Sequence, residues 1–164
     1  MTAWAALACD ASPVPLFPVE PKDKSRDSEA ARQSGFRKLL HYQGPSVTSW
    51  GVPNAGKRGL KAQAQSKREG LTAGVFDEHY AWNHGIAFLE WKDGKGDLSD
   101  NQIEWGNAMV ARGFRVACVR TPEFALSLFL EWGAPVRPIQ NQSSRTAKAI
   151  AARLSIACEE ATHA

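Results

Sequence analysis

With 164 residues, 43% hydrophobic and 23% charged, the chain has room for one domain with a proper core and too little for two comfortable ones. Its formal net charge of +3 permits a polyanionic partner without arguing for one. Cys9, Cys118 and Cys158 are widely spaced, with no Cys-x-x-Cys pair and no histidine beside a cysteine in a ligand pattern, which speaks against a disulfide framework or a zinc site and fits a reducing cytoplasm.

The N-terminal "AWAALAC" is apolar, but it has no basic region before it and is too short for a signal peptide. No stretch approaches the roughly 18 to 20 apolar residues that span a membrane, so a soluble, cytoplasmic protein is expected. Pro13, Pro15, Pro18 and Pro21, followed by the charged "KDKSRD", mark residues 1–24 as a disordered or extended arm. From Asp27 the pattern turns helical. Asp27 or Ser28 can cap this helix, and apolar residues recur to Leu40. Glu29, Gln33, Phe36 and Leu40 fall within one narrow sector of it, so the acid Glu29 shares the stripe that Phe36 and Leu40 turn inward. A glutamate in a first turn is also favoured by the helix dipole alone.

"VTSWGV" reads as a strand and Pro53-Asn54-Ala55-Gly56 as a turn. Leu60 to Glu69 suits a short helix, and the run from Lys57 to Arg68 holds Lys57, Arg58, Lys61, Lys67 and Arg68 with no acid among them. "GVFDEHYAW" and "IAFLEWK" are strand-like runs separated by Asn83-His84-Gly85, residues that suit a hairpin turn. Ser99 to Arg112 reads as a helix stopped by Gly113, opened by a capping box of Ser99 and Gln102. "FRVACVR" alternates as a strand, and Thr121-Pro122-Glu123 starts a further, largely buried helix. Strand, helix and strand in succession predict a crossover with two parallel strands. The fold class expected is α/β, a mixed central β-sheet flanked by helices. Beyond Gly133 a linker precedes an amphipathic helix over 145–160.

"AFLEWKDGKG" carries the chemistry. Alternation puts Glu90 and Lys92 on one strand face and Leu89 and Trp91 on the other. A turn at residues 83–85 places Asp77 opposite Trp91, with Glu90 and Lys92 as its diagonal neighbours. Glu29 is available from the inward helix face. Two carboxylates a few ångströms apart repel unless a cation joins them, and oxygen ligands suit a hard ion such as Mg²⁺ or Mn²⁺. A protonated lysine beside them cannot be a ligand; it can steady an attacking water or a phosphorane-like charge, which is the chemistry of metal-assisted phosphodiester hydrolysis. The same residues also describe a surface ion-pair cluster, since Glu-x-Lys is common on amphipathic strands. Glu78 should point to the face opposite Asp77 and is read as a surface residue. His79 and His84 offer themselves as bases, but strand-surface and turn roles account for them.

Asp77 followed by Glu90-x-Lys92 resembles the PD-(D/E)XK nuclease signature. "GVPNAGKRG", "REGLTAGVFD", "AFLEWK", "LSDNQ" and "VACVRTPEFAL", in that order and spacing, make the chain from about Ser28 to Gly133 similar to the VRR-NUC domain. That domain occurs in phage and bacterial proteins and in a eukaryotic DNA-repair nuclease. The resemblance implies a restriction-endonuclease-like core over 25–133, flanked by the arm of 1–24 and by the linker and peripheral helix of 134–164. It implies a Mg²⁺- or Mn²⁺-dependent DNA endonuclease, in a family that includes structure-specific enzymes acting on branched or junction DNA.

Carried onto this chain, Asp77, Glu90 and the backbone carbonyl of Trp91 would hold the metal, and Lys92 would orient the nucleophilic water. Gln102 would be an accessory site residue, although the capping box alone accounts for a glutamine there. Glu29 would complete the site, and Lys57, Arg58 and Lys61 would contact DNA phosphates. Members of this size suggest a homodimer. Phe76 stands where the family commonly has proline before the metal-binding aspartate; the proline supplies no ligand, so activity is still expected. The alternative is a catalytically inactive nucleic-acid-binding or assembly protein that keeps the nuclease fold.

Overall fold

The computed structural model describes residues 12–52 and 72–139. The basic run with Lys57, Arg58 and Lys61, the helix expected over Leu60–Glu69 and the one expected over 145–160 lie outside the described residues. The elements run α1 (Glu29–Gln43), β1 (Thr48–Gly51), β2 (Glu78–Trp82), β3 (Gly85–Trp91), α2 (Asp100–Ala111), β4 (Arg115–Val119) and α3 (Pro122–Glu131). The strands form one sheet in the order β1-β2-β3-β4; β1, β2 and β3 are antiparallel, and β4 runs parallel to β3.

The helix starts follow their local chemistry. The Ser28 hydroxyl accepts from the Ala31 amide to cap α1, and Ser99 and Gln102 form a reciprocal capping box on α2. Thr121 caps α3 with Pro122 at its first position. Between β2 and β3 the turn is tighter than expected. Trp82 pairs with Gly85, leaving Asn83 and His84 as a two-residue turn, so every pair is shifted by one from the sequence reading. Glu78 faces Leu89, and the next position, Asp77, comes opposite Glu90 rather than Trp91. Gly85 serves here by lacking a side chain: a Cβ would lie 2.5 Å from the Trp82 indole.

Both faces of the sheet are covered. On one, Phe36 and Leu40 of α1 and Leu126 and Phe129 of α3 pack on Tyr80, Leu89, Trp91 and Val119. Phe36 meets Tyr80 and Phe129 edge-on, with ring centroids 5.7 Å and 5.4 Å apart. On the other face, Phe76, Phe88, Val116 and Cys118 form a second cluster with Trp105 and Met109 of α2. Burial pushes the Cys118 thiol up to about 12, which leaves it a small apolar filler at neutral pH.

Residues 12–24 of the proline-rich arm belong to this packing. Residues around Val19 run parallel to β4, bridged at Cys118, with the Glu20 amide on the Cys118 carbonyl and the Cys118 amide on the Pro18 carbonyl. Phe17 is buried edge-on against Phe76 and lies over Gly106 of α2, where any Cβ would collide with its ring. The Glu20 carboxylate accepts from the Thr121 amide and hydroxyl at the start of α3, and Asp23 pairs with the buried Arg32, whose guanidinium holds its carboxyl down at about 2. Large-to-small changes at buried phenylalanines typically cost about 3–5 kcal/mol. Phe17→Ala should therefore lower the free energy of chemical unfolding by about 3 kcal/mol; a loss below about 1 kcal/mol would show that the arm merely lies on the surface.

Candidate active site

Because β3 is covered on both sides, its polar residues had to be paired as the chain folded. Glu90 is 1% exposed. Its Oε1 accepts from Lys92 Nζ at 2.7 Å and from the Gln102 side-chain amide, and its Oε2 accepts from the Asp77 backbone amide at 3.3 Å. Asp77 Oδ2 in turn accepts from the Trp91 amide at 3.2 Å and from Gln33 Nε2 of α1 at 3.5 Å. The two-residue turn is what makes this possible, since side chains directly opposite on antiparallel strands share a face.

Burial, and then the charge of Asp77, raise the Glu90 carboxyl from 4.5 to about 7, against the pull of Lys92. Burial alone would lower the Lys92 ammonium, but Glu90, Glu29 and Asp77 together hold it above its ordinary value. Lys92 is thus a fixed cation and not a base near neutrality. Its backbone is fixed from behind: its amide donates to the Val119 carbonyl, and Arg120 donates to the carbonyls of Asp93 and Gly96 in the following loop. The arm adds a bond from the Asp23 amide to the Gly94 carbonyl.

Asp77, Glu90, Lys92, Gln102 and the Trp91 backbone are therefore brought together. Gln102 does two jobs, accepting from the Ser99 amide through Oε1 and donating to Glu90 through Nε2, so the capping box and the site contact are not alternatives. Glu29, in the first turn of α1, raises the Lys92 ammonium electrostatically and lines an open groove of about 450 Å³ with Gln33, Arg37, Gly51, Val52 and Asp77. The Trp91 N–H reaches Asp77, so its carbonyl faces the same strand edge.

Glu78 departs from the sequence reading. It does point away from the Asp77 face, but it is 1% exposed rather than superficial, because that face carries α1 and α3. It accepts from Arg37 Nε at 2.5 Å, from Trp91 Nε1 at 2.9 Å and from the Tyr80 hydroxyl. Arg37 was not singled out by sequence reasoning, although Glu29, Gln33 and Arg37 recur every four residues and so form a stripe along α1. His79 is half-buried against Trp50, Phe88 and Trp105, with burial lowering its pKa, and its Nε2 finds no hydrogen-bond partner among the described residues. His84 is an exposed turn residue.

Among the described residues no group of three or more His, Cys, Asp or Glu side chains converges as a metal cage. Magnesium, however, is commonly held by one or two carboxylates with water and substrate phosphate completing its shell. The pair Asp77 and Glu90, linked through the Asp77 amide, with the Trp91 carbonyl on the same edge, fits that donor requirement. Comparison with known families, curated proteins and solved structures finds no match for this chain.

In metal-free protein the raised Glu90 carboxyl keeps a proton that the unfolded chain has already released. Its stabilisation is fully present below pH 4.5 and is lost as pH rises through about 7. Between pH 5 and pH 8 in chelator, wild type should lose on the order of 2–3 kcal/mol of unfolding free energy relative to Glu90→Gln. A difference between the two proteins that stays flat across that range would contradict this placement of Glu90.

Proposed function

We propose that the chain is a VRR-NUC-like, metal-dependent DNA endonuclease with a restriction-endonuclease-like core, acting on branched or junction DNA. The observation that carries this reading is the convergence of Asp77, Glu90, Lys92 and Gln102 where β2 begins and β3 ends, with the Glu90 carboxyl raised by burial and then by Asp77. The mixed sheet covered by helices on both faces supports the core assignment. A cytoplasmic location and a homodimer belong to the same proposal; among the described residues, no helix is long and apolar enough to cross a membrane.

Asp77, Glu90 and the Trp91 carbonyl are the groups that would hold Mg²⁺ or Mn²⁺. When bound, the ion supplies charge neutralisation at the scissile phosphate and makes water a better nucleophile. Hydrolysis adds water across one phosphoester bond: the water oxygen joins phosphorus, the P–O bond breaks, and the leaving oxygen ends protonated. Lys92 stays an ammonium, so it orients the attacking water and faces the negative charge that develops on the phosphoryl oxygens. Gln102 keeps Glu90 in place, and Glu90, with Glu29 and Asp77 after it, keeps Lys92 charged.

Purified protein incubated with linear, flapped and four-way DNA should cut only with Mg²⁺ or Mn²⁺ present. Lys92→Ala and Glu90→Gln should each lower kcat by about 10²–10³-fold while leaving the circular dichroism spectrum unchanged. Metal-independent cleavage, or undiminished rates in both variants, would overturn the mechanism. Binding to these DNAs without cutting any of them would favour the inactive nucleic-acid-binding reading.

A further inference from the structure

The geometry points to Arg37 as a contact for a backbone phosphate of the substrate strand, lying in the α1 groove beside the Asp77 carboxylate; this rests on the nuclease reading. Four observations lead there. The Arg37 side chain is 51% exposed, yet one edge of its guanidinium is fixed by Nε to the buried Glu78. Glu78 is itself held by the Tyr80 hydroxyl and the Trp91 indole, so the anchor cannot swing. Trp91 is the residue between Glu90 and Lys92, and its own amide binds Asp77. The same groove of about 450 Å³ is lined by Glu29, Gln33 and Arg37 of α1 and by Gly51, Val52 and Asp77 of the sheet edge, where the Val52 amide donates to the Asp77 carbonyl.

A surface arginine ordinarily loses rotamer freedom when it binds an anion. Arg37 is already held in place by Glu78, and by a weaker bond from Nη2 to Gln33 at 3.4 Å. Its Nη1 has no hydrogen-bond partner among the described residues, and the guanidinium fork suits phosphate oxygens. Arg37 is the one cation among the described residues that line this groove, whose other ionisable walls, Glu29 and Asp77, are acidic. A strand running through the groove would therefore meet its positive charge at Arg37. Such a contact fixes register and carries no sequence information.

The competing role for Arg37 is only to neutralise buried Glu78, and a double variant separates the two. Binding of a fluorescein-labelled flapped duplex is followed by anisotropy in chelator, across a salt series, for wild type, Arg37→Ala, Glu78→Gln and the double variant Arg37→Ala/Glu78→Gln. Unfolding curves are recorded alongside. The expected result is that the double variant recovers stability over Arg37→Ala but still binds about 5–10-fold more weakly, with a salt slope reduced by about one. A double variant that binds with wild-type affinity and slope would overturn the assignment while leaving the nuclease reading intact. Wild-type protein that neither binds nor cuts the duplex would overturn both.

Discussion

At the end of β3 a carboxylate that water cannot reach lies between a lysine, a glutamine and the backbone of a second acid. The rest of the site depends on that burial. A solvated Glu90 would titrate near its ordinary value and ignore Asp77; under α2 it is pushed to about 7 and holds Lys92 by a hydrogen bond. The opposed charges that interrupt "AFLEWKDGKG" are thus the part of the strand most tightly specified by its surroundings. Breaking one partner of such a buried set costs more than the set itself contributes, because the survivor is left uncompensated.

Two buried acids flank this segment of β3 on opposite faces. Glu90 joins the strand to α2 through Gln102, while Glu78 joins the indole of Trp91 to α1 through Arg37. Trp91 stands between them, its ring in the main core, its indole N–H on Glu78 and its amide on Asp77. Packing and polar pairing therefore fix the same few residues, which is how a fold holds charged groups in a set geometry without solvent. The arm extends this from outside: Glu20 joins α3's first turn, and the Asp23 amide crosses the loop that follows Lys92.

Much of this was legible in the sequence where local rules decide. Ser28, the Ser99–Gln102 box and Thr121-Pro122 mark their helix starts, and the parallel pairing of β3 with β4 follows from strand, helix and strand in order. Asn83-His84-Gly85 suggests a three-residue turn because glycine favours positive φ, whereas Gly85 is a strand residue that makes room for the Trp82 ring. The two-residue turn matters, since it brings Asp77 onto the Glu90 face. The burial of Glu78 is not legible in the sequence, because alternation tells which side a residue faces and not whether that side is covered. Phe17 was hidden within a composition typical of an extended arm, and its burial depends on Gly106, some ninety residues away. The basic run with Lys57, Arg58 and Lys61 lies outside the described residues.

The central claim is that Asp77 and Glu90 share a divalent cation, and its most direct measurement is calorimetric titration of the full chain with Mn²⁺ in two buffers of different ionisation enthalpy. Wild type should bind with release of a proton near pH 7, drawn from Glu90, and Asp77→Asn should weaken binding by about tenfold or more. Glu90→Gln should both weaken binding and abolish the proton release. Absence of Mn²⁺ binding by wild type, or equal affinity in both variants, would contradict the account.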